Sequence, residues 1–229
     1  MSTTGPIANV GREASQPKTG INEVAPAPPA DFKYWQSRIL GSTIVGYALY
    51  YLVRKNLSVA MPAMEETLGI GKSQLGLFLT LHGLLYGVSK FANGMLGDRA
   101  NARWFMAIGL ACCAILNLLF GMSTTVGAFG IFWMLNGWFQ GMGFPPCARL
   151  MTHWFPPRRF ASMMAIWNSS HSLGVIAAAV MCGYLVVIDW RLCFFVPAAI
   201  ALAGATWLAI RLRDTPESLG MPPVEGTEN

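Results

Sequence analysis

A chain of 229 residues that is 54% hydrophobic and only 12% charged lies outside the range of soluble domains, in which about 25% of residues are charged. Its 16 Lys and Arg against 11 Asp and Glu leave a net charge of +5, but the basic residues fall between apolar segments and form no nucleic-acid motif, which excludes a nucleic-acid partner and implies topology-setting charges. The cysteines, Cys112, Cys113, Cys147, Cys182 and Cys193, all lie in apolar runs with no CxxC pair and no His/Cys ligand spacing, so they read as buried small hydrophobes with no disulfide, metal or cofactor role.

Residues 1–33 open the chain as a tail rich in Gly, Pro, Ala, Ser and Thr with no apolar core, the pattern of a disordered segment and not of a signal peptide. Six apolar segments follow, at 38–63, 74–97, 104–122, 127–150, 161–187 and 192–210, most of them long enough for the roughly 20 residues of a membrane-spanning helix. A polar, proline-rich stretch, residues 214–229, ends the chain as a linker. Arg12, Lys18, Lys33 and Arg38 precede the first segment, Arg99 and Arg103 lie between the second and third, Arg158 and Arg159 between the fourth and fifth, and Arg211 and Arg213 after the sixth. The opposite loops offer only Lys72 and Arg191, so the positive-inside rule places both termini in the cytoplasm.

The first segment poses the main question. Fifteen uncharged residues from Ile39 to Val53 run into Arg54-Lys55, after which an apolar sequence resumes. A helix ending at Val53 would be about 23 Å long, short of a ~30 Å hydrocarbon core. Continuing it to Ala63 gives a full span and places Arg54 inside the membrane, where it either snorkels to the headgroups or faces a polar cavity. At 100° per residue Tyr47, Tyr51, Arg54 and Ser58 share one narrow stripe. Two phenols, a guanidinium and a hydroxyl suit a cavity wall better than a lipid-facing surface.

The second segment gathers His82, Tyr86, Ser89, Lys90 and Asn93 on one face. Lys90 is about seven residues inside its span, and the nearest carboxylates (Asp98, Asp189, Glu65 and Glu66) stand at span ends. Two cations without acidic partners are costly around an empty cavity and favourable around an anion, so an anionic ligand is implied. The fourth segment puts Asn136, Gln140, Gly143 and Cys147 on one face, read as core, with Pro145-Pro146 suited to a kink. His153 and Trp154 at its end read as interfacial. In the fifth, Trp167, His171 and Gly174 share a face beside the polar run Asn168-Ser169-Ser170. His171 is open to two readings, a satisfied core histidine or a titratable third positive charge at the ligand. No nucleophile elbow, P-loop, HExxH or intramembrane carboxylate pair is present, which argues against an enzyme.

Five stretches in order, GYALYYLVRKNLSVAMPAM, LYGVSKFANGMLGDRANAR, GWFQGMGFPPCARLMTHWF, WNSSHSLG and RDTPESLGMPPVEG, resemble the organophosphate:phosphate antiporters. These are a branch of the major facilitator superfamily that includes bacterial glycerol-3-phosphate and hexose-6-phosphate transporters. The match runs from about residue 34 to the end of the chain. The resemblance implies an all-α membrane fold of twelve helices in two six-helix halves, each a 3+3 inverted repeat, with the substrate between the halves. It implies that Arg54 binds phosphate and that Lys90, His171, Tyr47, Tyr51, Tyr86 and Trp167 line the same pocket. Asp98 and Arg99 would belong to a cytoplasmic hinge or gate and not to the substrate site. Phe144 stands where the glycerol-3-phosphate branch has tryptophan, so substrate identity is not carried over.

The resemblance further implies exchange of an organophosphate for inorganic phosphate across a bacterial inner membrane by alternating access. A transporter-like sensor of a sugar phosphate is the alternative. The chain covers only one six-helix half and lacks the second arginine of the phosphate clamp, so the expectation is a fragment or truncated frame that needs a C-terminal half.

Overall fold

The structure, a computed structural model, describes residues 30–224. It is helical throughout these residues: α1 (Ala30–Leu68), α2 (Lys72–Gly97), α3 (Ala102–Met122), α4 (Val126–Gln140), α5 (Phe144–Trp154), α6 (Pro157–Leu185) and α7 (Leu192–Arg211), then a short 3-10 turn at Glu217–Leu219. Most of the N-terminal tail reading falls on residues outside this range. Its last positions do not: α1 begins at Ala30, ahead of the expected start at 34, and Phe32 is buried against Trp154 with ring centroids 5.9 Å apart.

Where the sequence suggests six segments, the fourth is two helices. Pro145 and Pro146 have no N–H, so the carbonyls four residues earlier, at Gly141 and Met142, lose their α-helical donors. The chain tightens one turn upstream of the prolines, where Gly141, Met142 and Gly143 donate to the carbonyls of Trp138, Phe139 and Gln140 at 3.1–3.3 Å. The expected kink is therefore a break between α4 and α5.

Among the described residues α2, α3, α6 and α7 are each long and apolar enough to cross a membrane. The long α1, which carries Arg54, Lys55 and Asn56 at mid-length, and the α4–α5 pair complete six crossing segments. α1 packs on α6 and α7, α4 packs on α2 and α3, and α3 lies along α7. Exchanging α1 with α4–α5, α2 with α6 and α3 with α7 maps this pattern onto itself, which is the internal symmetry of a 3+3 inverted repeat.

Buried amides fix the rotation of α1. Asn56 Nδ2 donates to Asn117 Oδ1 at 2.7 Å and to the Cys193 carbonyl at 2.9 Å. Asn117 Nδ2 and Asn136 Nδ2 both donate to the Val53 carbonyl, at 3.0 and 3.1 Å, and Gln140 Nε2 donates to the Tyr50 carbonyl at 3.0 Å. In a bundle from which water is excluded these amides must find partners within the protein. They find them on one side of α1, which leaves Tyr47, Tyr51 and Arg54 to the other.

The C-terminal stretch read as a linker is docked at the end of the bundle that carries the basic loops. Asp214 Oδ1 accepts from the Ala102 N–H, the first amide of α3, at 2.8 Å, and Asn101 caps the next two amides. Asp214 Oδ2 meets Arg149 Nη2 at 3.3 Å, and Arg149 Nη1 donates to the Asp98 carbonyl. Gly220, at φ 72°, turns the chain after the 3-10 helix, and Leu219 and Met221 lie on the core. The carboxylate is favoured by the positive end of α3 and by a mostly buried guanidinium. We predict that Asp214→Ala lowers stability by about 1–2 kcal/mol and makes the stretch after Arg213 sensitive to protease. Unchanged melting and digestion in detergent would refute this clasp.

Candidate anion site

Arg54 lies sixteen residues after Arg38, about 24 Å along α1 at ~1.5 Å per residue, and so within a ~30 Å hydrocarbon core measured from the basic end. Its guanidinium carbon stands 4.0 Å from the centre of the Tyr86 ring on α2 and 5.6 Å from that of Tyr51. Lys90 Nζ approaches the same Tyr86 ring at 5.1 Å and the Phe144 ring at 5.2 Å. The two cations thus share one aromatic ring, an arrangement stabilised by the ring's negative face. Among the described residues the only ion pairs are Lys72 with Glu65 and Arg149 with Asp214, so neither Arg54 nor Lys90 has a carboxylate partner.

α6 supplies the facing wall. Tyr47 lies 4.7 Å from Trp167 and 4.9 Å from His171, Tyr51 lies 5.1 Å from His171, and Phe144 closes on Trp167 at 5.7 Å. Trp167 and Tyr47 are buried, whereas Tyr51, Arg54, Tyr86 and His171 are half-buried and Lys90 is exposed. His171 Nδ1 sits 2.9 Å from the Asn168 carbonyl. Since a carbonyl only accepts, Nδ1 holds a proton, and Nε2 can donate to an anion only in the imidazolium form.

The structure therefore brings together Tyr47, Tyr51, Arg54, Tyr86, Lys90, Trp167 and His171. The polar face expected on α2 divides: His82 Nδ1 meets the Trp133 carbonyl at 3.0 Å, Ser89 donates to the Trp138 carbonyl, and Asn93 donates to Ser89 at 2.7 Å. Those three serve the α2–α4 contact, and only Tyr86 and Lys90 turn to the aromatic pocket. Asp98 and Arg99 are exposed at the end of α2. A cleft of about 760 Å³, lined among others by Lys90, Phe144, Arg149 and His153, runs down to Asp98. Trp154 is buried and not interfacial: it stacks on Trp35 at 6.1 Å, and its Nε1 donates to the Arg213 carbonyl at 3.3 Å. Phe144, noted in the sequence only as a departure, proves to be a pocket wall that touches both Lys90 and Trp167.

Fold and site together define a polytopic helical membrane protein with a cationic, aromatic-lined pocket. The profile of the Major Facilitator Superfamily matches residues 43–228, and the chain belongs to that family, whose members are transport proteins and not enzymes. It is 40% identical over 220 residues to a probable hexose phosphate transport protein of Chlamydia pneumoniae, covering 95% of this chain and 48% of that protein. It is 41% identical to the glycerol-3-phosphate transporter of Bacillus subtilis (87% and 46% of the two chains) and 40% identical to the membrane sensor protein UhpC of Escherichia coli (85% and 45%). The chain spans about half the length of these relatives. Among solved structures, a bacterial homologue of the human lysosomal transporter Spinster, inward-facing and unoccupied, superposes with a TM-score of 0.71 at 20% identity, over 80% of this chain and 44% of that one.

Proposed function

We propose that the chain supplies one half of the binding site of a transporter that exchanges a phosphorylated organic anion, a hexose phosphate or glycerol phosphate, for inorganic phosphate. The observation that carries this reading is the placement of Arg54 on α1 and Lys90 on α2 in one pocket, both against Tyr86 and without carboxylate partners among the described residues. Arg54 receives the phosphate through two parallel N–H donors, Lys90 adds a mobile point charge, and His171 adds a donor when protonated. Trp167, Tyr47, Tyr51 and Phe144 form the apolar wall for the carbon skeleton. Asp98 and Arg99 act at the cytoplasmic hinge. A second six-helix half covers the open pocket from the other side and supplies the remaining charge, in keeping with the share of the relatives that the chain spans and with the exposed apolar residues Leu84, Phe91, Ile176 and Tyr184 on α2 and α6. The assembly sits in a bacterial inner membrane with the basic loops and both termini of this chain in the cytoplasm, as the distribution of Lys and Arg supports.

The test is exchange in proteoliposomes that contain the chain together with a C-terminal six-helix half. Vesicles loaded with inorganic phosphate should take up labelled glucose 6-phosphate or glycerol 3-phosphate, and phosphate-free vesicles should not. Uptake indifferent to internal phosphate would overturn the exchange. Tight binding without any flux would favour the sensor reading, to which the likeness to UhpC lends support.

A further inference from the structure

The geometry points to a second anion site, for the headgroup of an anionic phospholipid, at the basic-loop end of the bundle where α1 starts and α7 ends. Four arginines meet there around the last turn of α7. Arg38 Nε donates to the Arg211 carbonyl at 3.1 Å, Arg103 Nε donates to the Ala209 carbonyl, and Arg213 Nη1 donates to the carbonyls of Ile210 and Leu212 at 2.9 and 2.7 Å. The free carbonyls at the negative end of a helix hold these guanidiniums in place. Each is also laid on an aromatic ring: Arg38 on Trp35 at 4.7 Å, Arg103 on Trp104 at 4.7 Å, Arg211 on Trp207 at 5.3 Å and Arg213 on Trp35 at 5.8 Å.

Held this way, the arginines spend only part of their donors and keep their full charge. None pairs with a carboxylate among the described residues, and Asp214, the neighbour in sequence, is turned to Arg149 and Ala102. Burial first, and then the Arg103 and Arg38 charges, pull Arg213 below the usual arginine range. Four fixed cations ask for an anion. The surface beside them specifies an amphiphile, because the residues just inside the ring are apolar and outward-facing: Val45, Ile108 and Ile210 are 47, 51 and 63% exposed, and nothing lies over Gly41. An acidic headgroup on the arginines with acyl chains along Gly41, Val45 and Ile210 satisfies both features. The site is separate from the Arg54 pocket, since Arg38 precedes Arg54 by sixteen residues, about 24 Å along α1.

The chain in detergent is titrated with phosphatidylglycerol and phosphatidylcholine and read by native mass spectrometry. Phosphatidylglycerol should bind preferentially, and Arg103→Gln with Arg213→Gln should weaken it about tenfold or more. Arg158→Gln with Arg159→Gln, which removes the same charge from exposed positions at the start of α6, should leave it unchanged. Equal weakening in both double variants would mean diffuse surface charge and overturn the site, as would equal binding of the two lipids. Displacement of phosphatidylglycerol by inorganic phosphate alone would overturn the lipid in favour of a free-anion site. A measurement on the wild-type chain guards against a variant that fails to fold: phosphatidylglycerol, and not phosphatidylcholine, should slow hydrogen exchange selectively around residues 207–213. Protection spread evenly over the bundle counts against the site.

Discussion

Arg54→Lys is expected to lower affinity for phosphate and organophosphate about a hundredfold, or roughly 3 kcal/mol, and to abolish uptake by the assembled transporter. The substitution keeps the charge, so the expectation rests on shape. In the structure the guanidinium carbon lies 4.0 Å from the centre of the Tyr86 ring, close enough for the planar group to stack on it. A planar fork can stack and donate two parallel bonds at once, whereas an ammonium cannot do both from one position. The Asn56, Asn117 and Asn136 bonds hold the opposite side of α1, so the helix cannot rotate to compensate. Lys55→Gln is the control, since Lys55 has no aromatic partner among the described cation–ring contacts and its change should stay within about 0.5 kcal/mol. Binding is read by calorimetry and uptake by labelled substrate. Uptake retained in Arg54→Lys would remove Arg54 from the site.

The contrast between α1 and α2 explains what could be read from the sequence. Tyr47, Tyr51 and Arg54 are visible as a stripe because they fall within about 60° of one another around α1 and all three face the pocket, while Asn56 lies on the other side. On α2 the polar sector is about 100° wide, with His82, Ser89 and Asn93 at one edge and Tyr86 and Lys90 at the other. Periodicity gives the sector but not the line along which α4 divides it. The break between α4 and α5 is legible in Pro145-Pro146, yet its position is set by the carbonyls that the prolines orphan, one turn upstream. Asp214 illustrates the limit. A lone carboxylate in a proline-rich polar stretch reads as linker, because the N-terminal amide of α3 and the Arg149 guanidinium that it satisfies lie 112 and 65 residues away in the chain. The same distance in sequence hides Trp154, whose partners come from the start of α1 and the residues after α7.

Gly174→Val should be the most damaging single change outside the charged residues. A Cβ at Gly174 would stand 2.5 Å from Tyr51 Cβ, 2.6 Å from the Ala48 carbonyl oxygen and 3.0 Å from Ala48 Cα. These are backbone atoms of α1 or one bond from it, and cannot swing aside as the tip of a side chain can. Replacing a helical glycine normally gains up to about 1 kcal/mol of helix propensity, but overpacking costs about 1–3 kcal/mol, and here the only relief is to push α6 off α1. Such a shift also opens the pocket, because Trp167 and His171 ride on α6 within two turns of the contact and hold Tyr47 and Tyr51 at 4.7–5.1 Å. The expected result is a loss of about 3 kcal/mol in stability with helical content preserved, and a fall in phosphate affinity although no charged residue has changed. Gly183→Val, on the same helix with nothing within 4 Å of its Cβ position, should melt at or above the wild-type temperature and bind normally. Equal behaviour of the two variants in thermal melts and phosphate titrations would show that the α1–α6 approach at Gly174 does not set the width of the pocket.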